Sequence, residues 1–84
     1  MINSQEIRDT VRTYIINNML SGVSSNFTDQ TLILSGGLAD SISTLHMVDA
    51  LERKYGIEFQ PHEVDKEFLD SVDKIVAFIE SKLQ

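Results

Sequence analysis

Apolar residues recur along this chain at three- and four-residue steps, interrupted by stretches rich in glycine, serine and aspartate. Ile7, Val11, Tyr14, Ile15 and Met19 form the first stripe, the spacing of one buried helical face. Asn3 is placed to cap that helix, with Glu6 reaching back in a capping-box arrangement, and fraying is expected near Ser21-Gly22. A second helix is predicted from Asp40-Ser41 to Tyr55-Gly56, because aspartate is a good N-cap and glycine accepts the left-handed conformation that ends a helix. Its inward stripe reads Leu45, Val48, Leu51 and Tyr55, with Met47 beside it. His46, Asp49, Glu52 and Arg53 then fall mostly on the outer side. Ile57-Glu58-Phe59 alternates like a strand but has no partner strand in view, so it reads as an extended connector. Pro61 suits the first turn of a short helix running through Lys66. Asp70 or Ser71 caps a last helix, in which Val72, Ile75, Val76, Ile79 and Leu83 keep the helical step.

The expected fold is all-α: a small four-helix bundle, three main helices plus one short one, in a single domain spanning residues 1–84. The stretch from Val23 to Asp40 is too long for a simple connection, and loops of that length are usually functional or disordered. Leu32, Ile33 and Leu34 argue against disorder, since they can pin the loop onto the helices. There is no internal repeat.

Composition narrows the chemistry. The 84 residues allow one modest core, and a 42% hydrophobic content is ordinary for a folded domain. Without cysteine, neither disulfides nor thiolate metal sites can hold the fold, and any thioester chemistry needs a thiol from elsewhere. Thirteen acids against seven bases give a net charge of −6, which disfavours nucleic acid and anionic membrane and favours basic protein surfaces. No basic region leads into an apolar run at the N-terminus, no apolar run has the length of a membrane span, and Gln84 spoils a peroxisomal signal. The expected location is cytoplasmic.

The informative stretch is Leu34-Ser35-Gly36-Gly37-Leu38-Ala39-Asp40-Ser41-Ile42. It sets a serine hydroxyl at the first turn of a helix, after a glycine-containing loop and directly behind a carboxylate. Unpaired N–H groups and the positive end of the helix dipole favour an anion there, by about 0.3–1 kcal/mol at an exposed site. A phosphodiester on Ser41 would be accommodated.

These residues carry a resemblance. Asp40-Ser41-Ile42, followed by Leu45, Val48, Leu51-Glu52, Tyr55-Gly56-Ile57 and Phe59, resembles the acyl carrier protein family. So does Phe68-Leu69-Asp70-Ser71-Val72 leading into an amphipathic helix. The resemblance covers nearly the whole chain and is strongest from Leu34 to Phe59. It implies that Ser41 receives 4′-phosphopantetheine from coenzyme A through a magnesium-dependent phosphopantetheinyl transferase, and that the arm's thiol then holds cargo as a thioester. Asp40 would assist the transfer, and Gly37 and Ile42 would border the attachment site. Ile42, Leu45, His46, Asp49 and Arg53 would form the docking face on the second helix. The implied partners are the transferase, a loading ligase or adenylating enzyme, and acceptor acyl- or aminoacyl-transferring enzymes, met by a monomer that is not itself an enzyme. Two departures stand out. Carriers of ordinary fatty acid synthesis usually have a strongly acidic second helix, whereas here Asp49 and Glu52 face Arg53 and Lys54. The acidity lies instead between His62 and Asp73, where Glu63, Asp65, Glu67, Asp70 and Asp73 accompany one base, Lys66. With the Ser-Gly-Gly-Leu-Ala-Asp-Ser entry, this resembles discrete carriers of amino acids or specialised acyl groups.

Plainer readings stand beside this one. Ser41 could be an unmodified helix-start serine, and the chain a cofactor-free helical adaptor that binds partners through its second helix. Asp70-Ser71-Val72 supplies an internal control: it is also Asp-Ser-aliphatic before a helix, but no glycine loop precedes it, so it reads as a plain cap. A serine hydrolase would need a Gly-x-Ser-x-Gly elbow and room for a triad, and the chain has neither. His46 and Asp49 share a helix face, but without a third ligand nearby in sequence they are expected on a solvated face or at a partner contact, not on a metal. The acidic run near the third helix reads equally as a solvated face.

Overall fold

The computed structural model describes residues 3–19 and 27–83. Their regular structure is entirely helical: α1 (Ser4–Asn18), α2 (Ser41–Tyr55), a 3-10 turn (Pro61–Glu63), α3 (Lys66–Leu69) and α4 (Val72–Leu83). None of these helices is long and apolar enough to cross a membrane.

Local chemistry sets most of the boundaries. Asn3 caps α1 by accepting the Glu6 N–H at 3.1 Å. The reciprocal half of a capping box is absent among the described residues, so this is a simple cap. The expected fraying at Ser21-Gly22 lies outside the described residues. α2 starts behind Asp40 and stops at Gly56, whose φ of 65° lies in the left-handed region that a side chain would strain. The segment after Gly56 is the extended connector expected, with Phe59 buried and its N–H donated to the Glu52 carboxylate at 2.7 Å.

The core forms where the stripes meet. Ile7, Val11 and Ile15 of α1, Met47, Val48 and Leu51 of α2, and Val72, Ile75, Val76 and Ile79 of α4 join Ile33, Phe59 and Leu69 in one buried cluster. Each large aliphatic side chain so buried contributes about 1.5–3 kcal/mol. The rings of Phe59 and Phe78 meet edge-on with centroids 5.3 Å apart, and Phe68 lies against Phe78 at 4.9 Å. α1 and α4 also touch at their ends through a hydrogen bond from Ser4 to the Glu80 carboxylate.

Other expectations are corrected by the packing. The inward face of α2 is Thr44, Met47, Val48 and Leu51, whereas Leu45 is 56% exposed. Thr44 can turn inward because its hydroxyl donates to the Asp40 carbonyl at 2.7 Å, so that hydroxyl is not buried unpaired. The single short helix expected from Pro61 to Lys66 is a three-residue 3-10 turn followed by a separate α3 that begins at Lys66. Asp65 divides them by capping α3. Of the loop residues expected to act as pins, Ile33 is fully buried and Leu34 partly, while Leu32 is half-exposed.

The acidic stretch is also not simply a solvated face. Glu63 pairs with Lys82 at 2.9 Å, Asp73 pairs with Arg8, and Asp70 is buried. Asp65 and Glu67 remain exposed.

Candidate functional site

The first turn of α2 is built around Asp40. Its carboxylate accepts the Ser43 N–H at 2.8 Å, and its carbonyl accepts the Thr44 N–H at 3.0 Å. The Ser43 N–H, and then the Ser43 hydroxyl, hold the Asp40 carboxyl below its ordinary range, so it is ionised at neutral pH. Ser41 is the first residue of the helix and is exposed. Its hydroxyl therefore sits beside the N–H groups of a fifteen-residue helix and a neighbouring fixed carboxylate.

Ser71 differs in each respect. It is 5% exposed, and its Oγ accepts the Lys74 N–H at 3.2 Å. Of the two Asp-Ser-aliphatic sites, only the one at Ser41 offers an accessible hydroxyl. Ser71, not Asp70, caps the start of α4.

A groove of about 1050 Å³ opens beside Ser41. Leu34, Ala39 and Leu45 form part of one wall, and Pro61, Val64 and Lys66 part of the other. Asp40 and Asp65 also line it, so the groove combines apolar side chains with charges of both signs. The sequence placed none of the residues from Pro61 to Lys66 near Ser41. The only available signal was the lone base, Lys66, among acids, and it carried no direction.

The other residues singled out in the sequence divide into two groups. Asp40, Ser41 and Leu45 line the groove. Gly37 does not line it; it takes φ 79° in the turn before α2 and donates its N–H to the Leu34 carbonyl at 3.2 Å. Ile42, 66% exposed, points away from the core at the front of α2. Ile42, His46, Asp49 and Arg53 are all exposed and spaced to share one outer strip of α2, with Leu45 at its edge. Asp49 and Arg53 neutralise each other across one helical turn at 3.2 Å. The strip thus presents an apolar end near Ser41 and an internally paired charged end. Among the described residues, no cluster of three histidine or acidic side chains is arranged to hold a metal ion.

Searches against models of known protein families and against curated proteins return no match for this sequence.

Proposed function

We propose that this chain is a carrier protein that holds an acyl or aminoacyl group as a thioester on a 4′-phosphopantetheine arm attached to Ser41. The observation that carries this reading is the contrast between the exposed Ser41 hydroxyl at the head of α2 and the buried, hydrogen-bonded Ser71 hydroxyl. The resemblance of residues 34–59 to acyl carrier proteins supports it.

The residues present fit such an arm. Ser41 supplies a nucleophilic oxygen that another protein can reach, and the groove beside it has room for an extended group. When bound, the arm supplies the thiol that this cysteine-free chain lacks. In the attachment step the Ser41 Oγ bonds to the pantetheine-side phosphorus of coenzyme A. The phosphorus–oxygen bond to adenosine 3′,5′-bisphosphate breaks, and that group leaves with the bridging oxygen. The serine proton passes to a base of the transferase. The positive end of the α2 dipole would favour the negative charge of a phosphodiester held there. Asp40, ionised at neutral pH, offers a negative charge beside Ser41 to the transferase's magnesium site.

The outer strip of Ile42, Leu45, His46, Asp49 and Arg53 serves as the docking face for the transferase, a loading ligase or adenylating enzyme, and acceptor enzymes. The chain acts as a cytoplasmic monomer and presents its cargo without catalysing a reaction. The adaptor reading, which uses the same strip without a cofactor, is favoured by one observation, the exposure of Ile42 and Leu45.

Intact-protein mass spectrometry separates the two. The chain is incubated with coenzyme A, magnesium and a broad-specificity phosphopantetheinyl transferase, alongside Ser41→Ala and Ser71→Ala. The expected result is a gain of one phosphopantetheinyl group, lost only in Ser41→Ala. No gain with an active transferase, or a gain retained in Ser41→Ala, overturns the assignment.

A further inference from the structure

Asp70 lies 29 residues after Ser41, at the junction of α3 and α4, and is 6% exposed. Its carbonyl accepts the Ile33 N–H at 2.7 Å. One carboxylate oxygen accepts the N–H groups of Leu34 and Ser35 at 2.8 and 2.9 Å, and the other accepts the Ser35 hydroxyl at 2.5 Å. Burial pushes this carboxyl upward, and the Ser35 hydroxyl with the Ser35 and Leu34 N–H groups outweighs it, leaving Asp70 below the ordinary carboxylate range. The bonds are therefore charge-assisted, the strong kind.

From residues 33–35 the connection continues to the head of α2. The Ile33 carbonyl accepts the N–H groups of both Leu38 and Ala39, at 2.9 and 3.1 Å. Ala39 is 8% exposed and directly precedes Asp40, the cap of α2. The turn between has no slack: a Cβ on Gly36 would lie 2.3 Å from the Leu32 carbonyl oxygen. Leu34 and Ser35 also line the groove beside Ser41.

We propose that Asp70 is a positioning residue for Ser41: its buried carboxylate braces the turn from Ile33 to Ala39 against the α3–α4 junction, and so fixes the first turn of α2 and the adjoining groove wall. The functional consequence rests on the reading of Ser41 as an attachment site; the brace itself does not. A second anchor supplies the comparison. Asp29 ties the early part of the loop to Arg8 and Arg12 and accepts the Asp73 N–H through its carbonyl at 3.0 Å. It has no bonded connection to residues 33–39 of the kind Asp70 has. A general loop-fastening role would make the two anchors equivalent at Ser41, whereas a brace makes them different.

The test is residue-resolved amide hydrogen exchange on the full chain, with Asp70→Ala, Ser35→Ala and Asp29→Ala. In parallel, KM and kcat for phosphopantetheinyl transfer to each variant are measured. Leu38 and Ala39 are the reporters, because the N–H groups of both bond to the Ile33 carbonyl and not to Asp70. In Asp70→Ala their exchange should accelerate by about tenfold or more relative to the core amides of Ile75 and Val76. Ser35→Ala should move them the same way by less, and Asp29→Ala should leave them unchanged relative to the same core amides. KM for transfer should rise in Asp70→Ala and not in Asp29→Ala. The proposal is overturned if Leu38 and Ala39 keep their wild-type exchange, or accelerate only in step with Val76. Should Asp70→Ala fail to fold, Ser35→Ala decides by the same comparison. If the wild-type chain is not loaded at all, the carrier reading falls, and the exchange data still decide the brace.

Discussion

Arg8 and Asp29 form an ion pair of 2.7 Å that fastens the long loop to α1. Both side chains are about three-quarters shielded from water. Arg8 also reaches Asp73 at the start of α4, and Arg12 reaches the second oxygen of Asp29. Arg8, shared between Asp29 and Asp73, thus links two helices and the loop, and such a network lies between an exposed pair and a buried one in strength. Asp29→Asn is expected to lower stability by about 1–2 kcal/mol in urea denaturation. An unchanged midpoint would show that the network is ornamental.

The same carboxylates set the response to acid. Burial raises Asp29, but Arg12 and Arg8 outweigh it, so its folded pKa is depressed. Asp70 is likewise depressed by its hydrogen bonds. A depressed carboxylate binds its proton more readily in the unfolded chain, so its stabilisation is complete above the ordinary carboxylate range and is lost as pH falls through the folded value. Stability should therefore be level from neutrality down to about pH 5, then decline at lower pH. Denaturation midpoints measured across that range should show the decline flattened in Asp29→Asn.

The two serines should separate activity from stability. Ser71→Ala removes the cap of α4 and should cost about 1 kcal/mol while leaving phosphopantetheinyl loading intact. Ser41→Ala removes an exposed hydroxyl that the core does not use, so its melting temperature should match wild type while loading disappears. Calorimetry with mass spectrometry on the same samples checks both.

Two glycines should rank by cause. Gly36→Ala forces a Cβ to within 2.3 Å of the Leu32 carbonyl oxygen, a backbone atom that cannot swing aside. Gly56→Ala meets no neighbour and is strained only by its left-handed backbone, at about 1–2 kcal/mol. Gly36→Ala is expected to be the more destabilising in denaturant titrations.

The outer strip of α2 should be separable from the core. Ile42→Ala and Leu45→Ala are expected to change stability by about 0.5 kcal/mol or less, whereas Leu51→Ala should cost about 2–5 kcal/mol. Charge reversal at Asp49 or Arg53 removes an exposed pair worth about 0.3–0.5 kcal/mol and should weaken transferase binding more than it shifts melting. A melting temperature that collapses while binding holds would remove these residues from the docking face.

Sequence alone determined what depends on neighbours along the chain. The Asn3 and Asp40 caps, the stop at Gly56 and the position of Ser41 at the head of a helix follow from contacts within four residues, where residue type limits the backbone to few choices. The stripes of α1 and α4 were legible because no competing phase was available. α2 had two phases: Leu45 and Thr44 both fit the helical step, and hydrophobicity pointed to the wrong one. The outcome turned on whether Thr44 could satisfy its hydroxyl, which it does on the Asp40 carbonyl. Contacts between residues distant along the chain were settled by packing instead. Asp70 read as a cap or as part of an acidic face, yet its carboxylate binds Leu34 and Ser35, more than thirty residues earlier. Lys66 read as a stray base, and it lines the groove beside Ser41. A buried carboxylate takes whichever N–H groups the packing of other elements brings to it, and that packing is not written in the residues on either side.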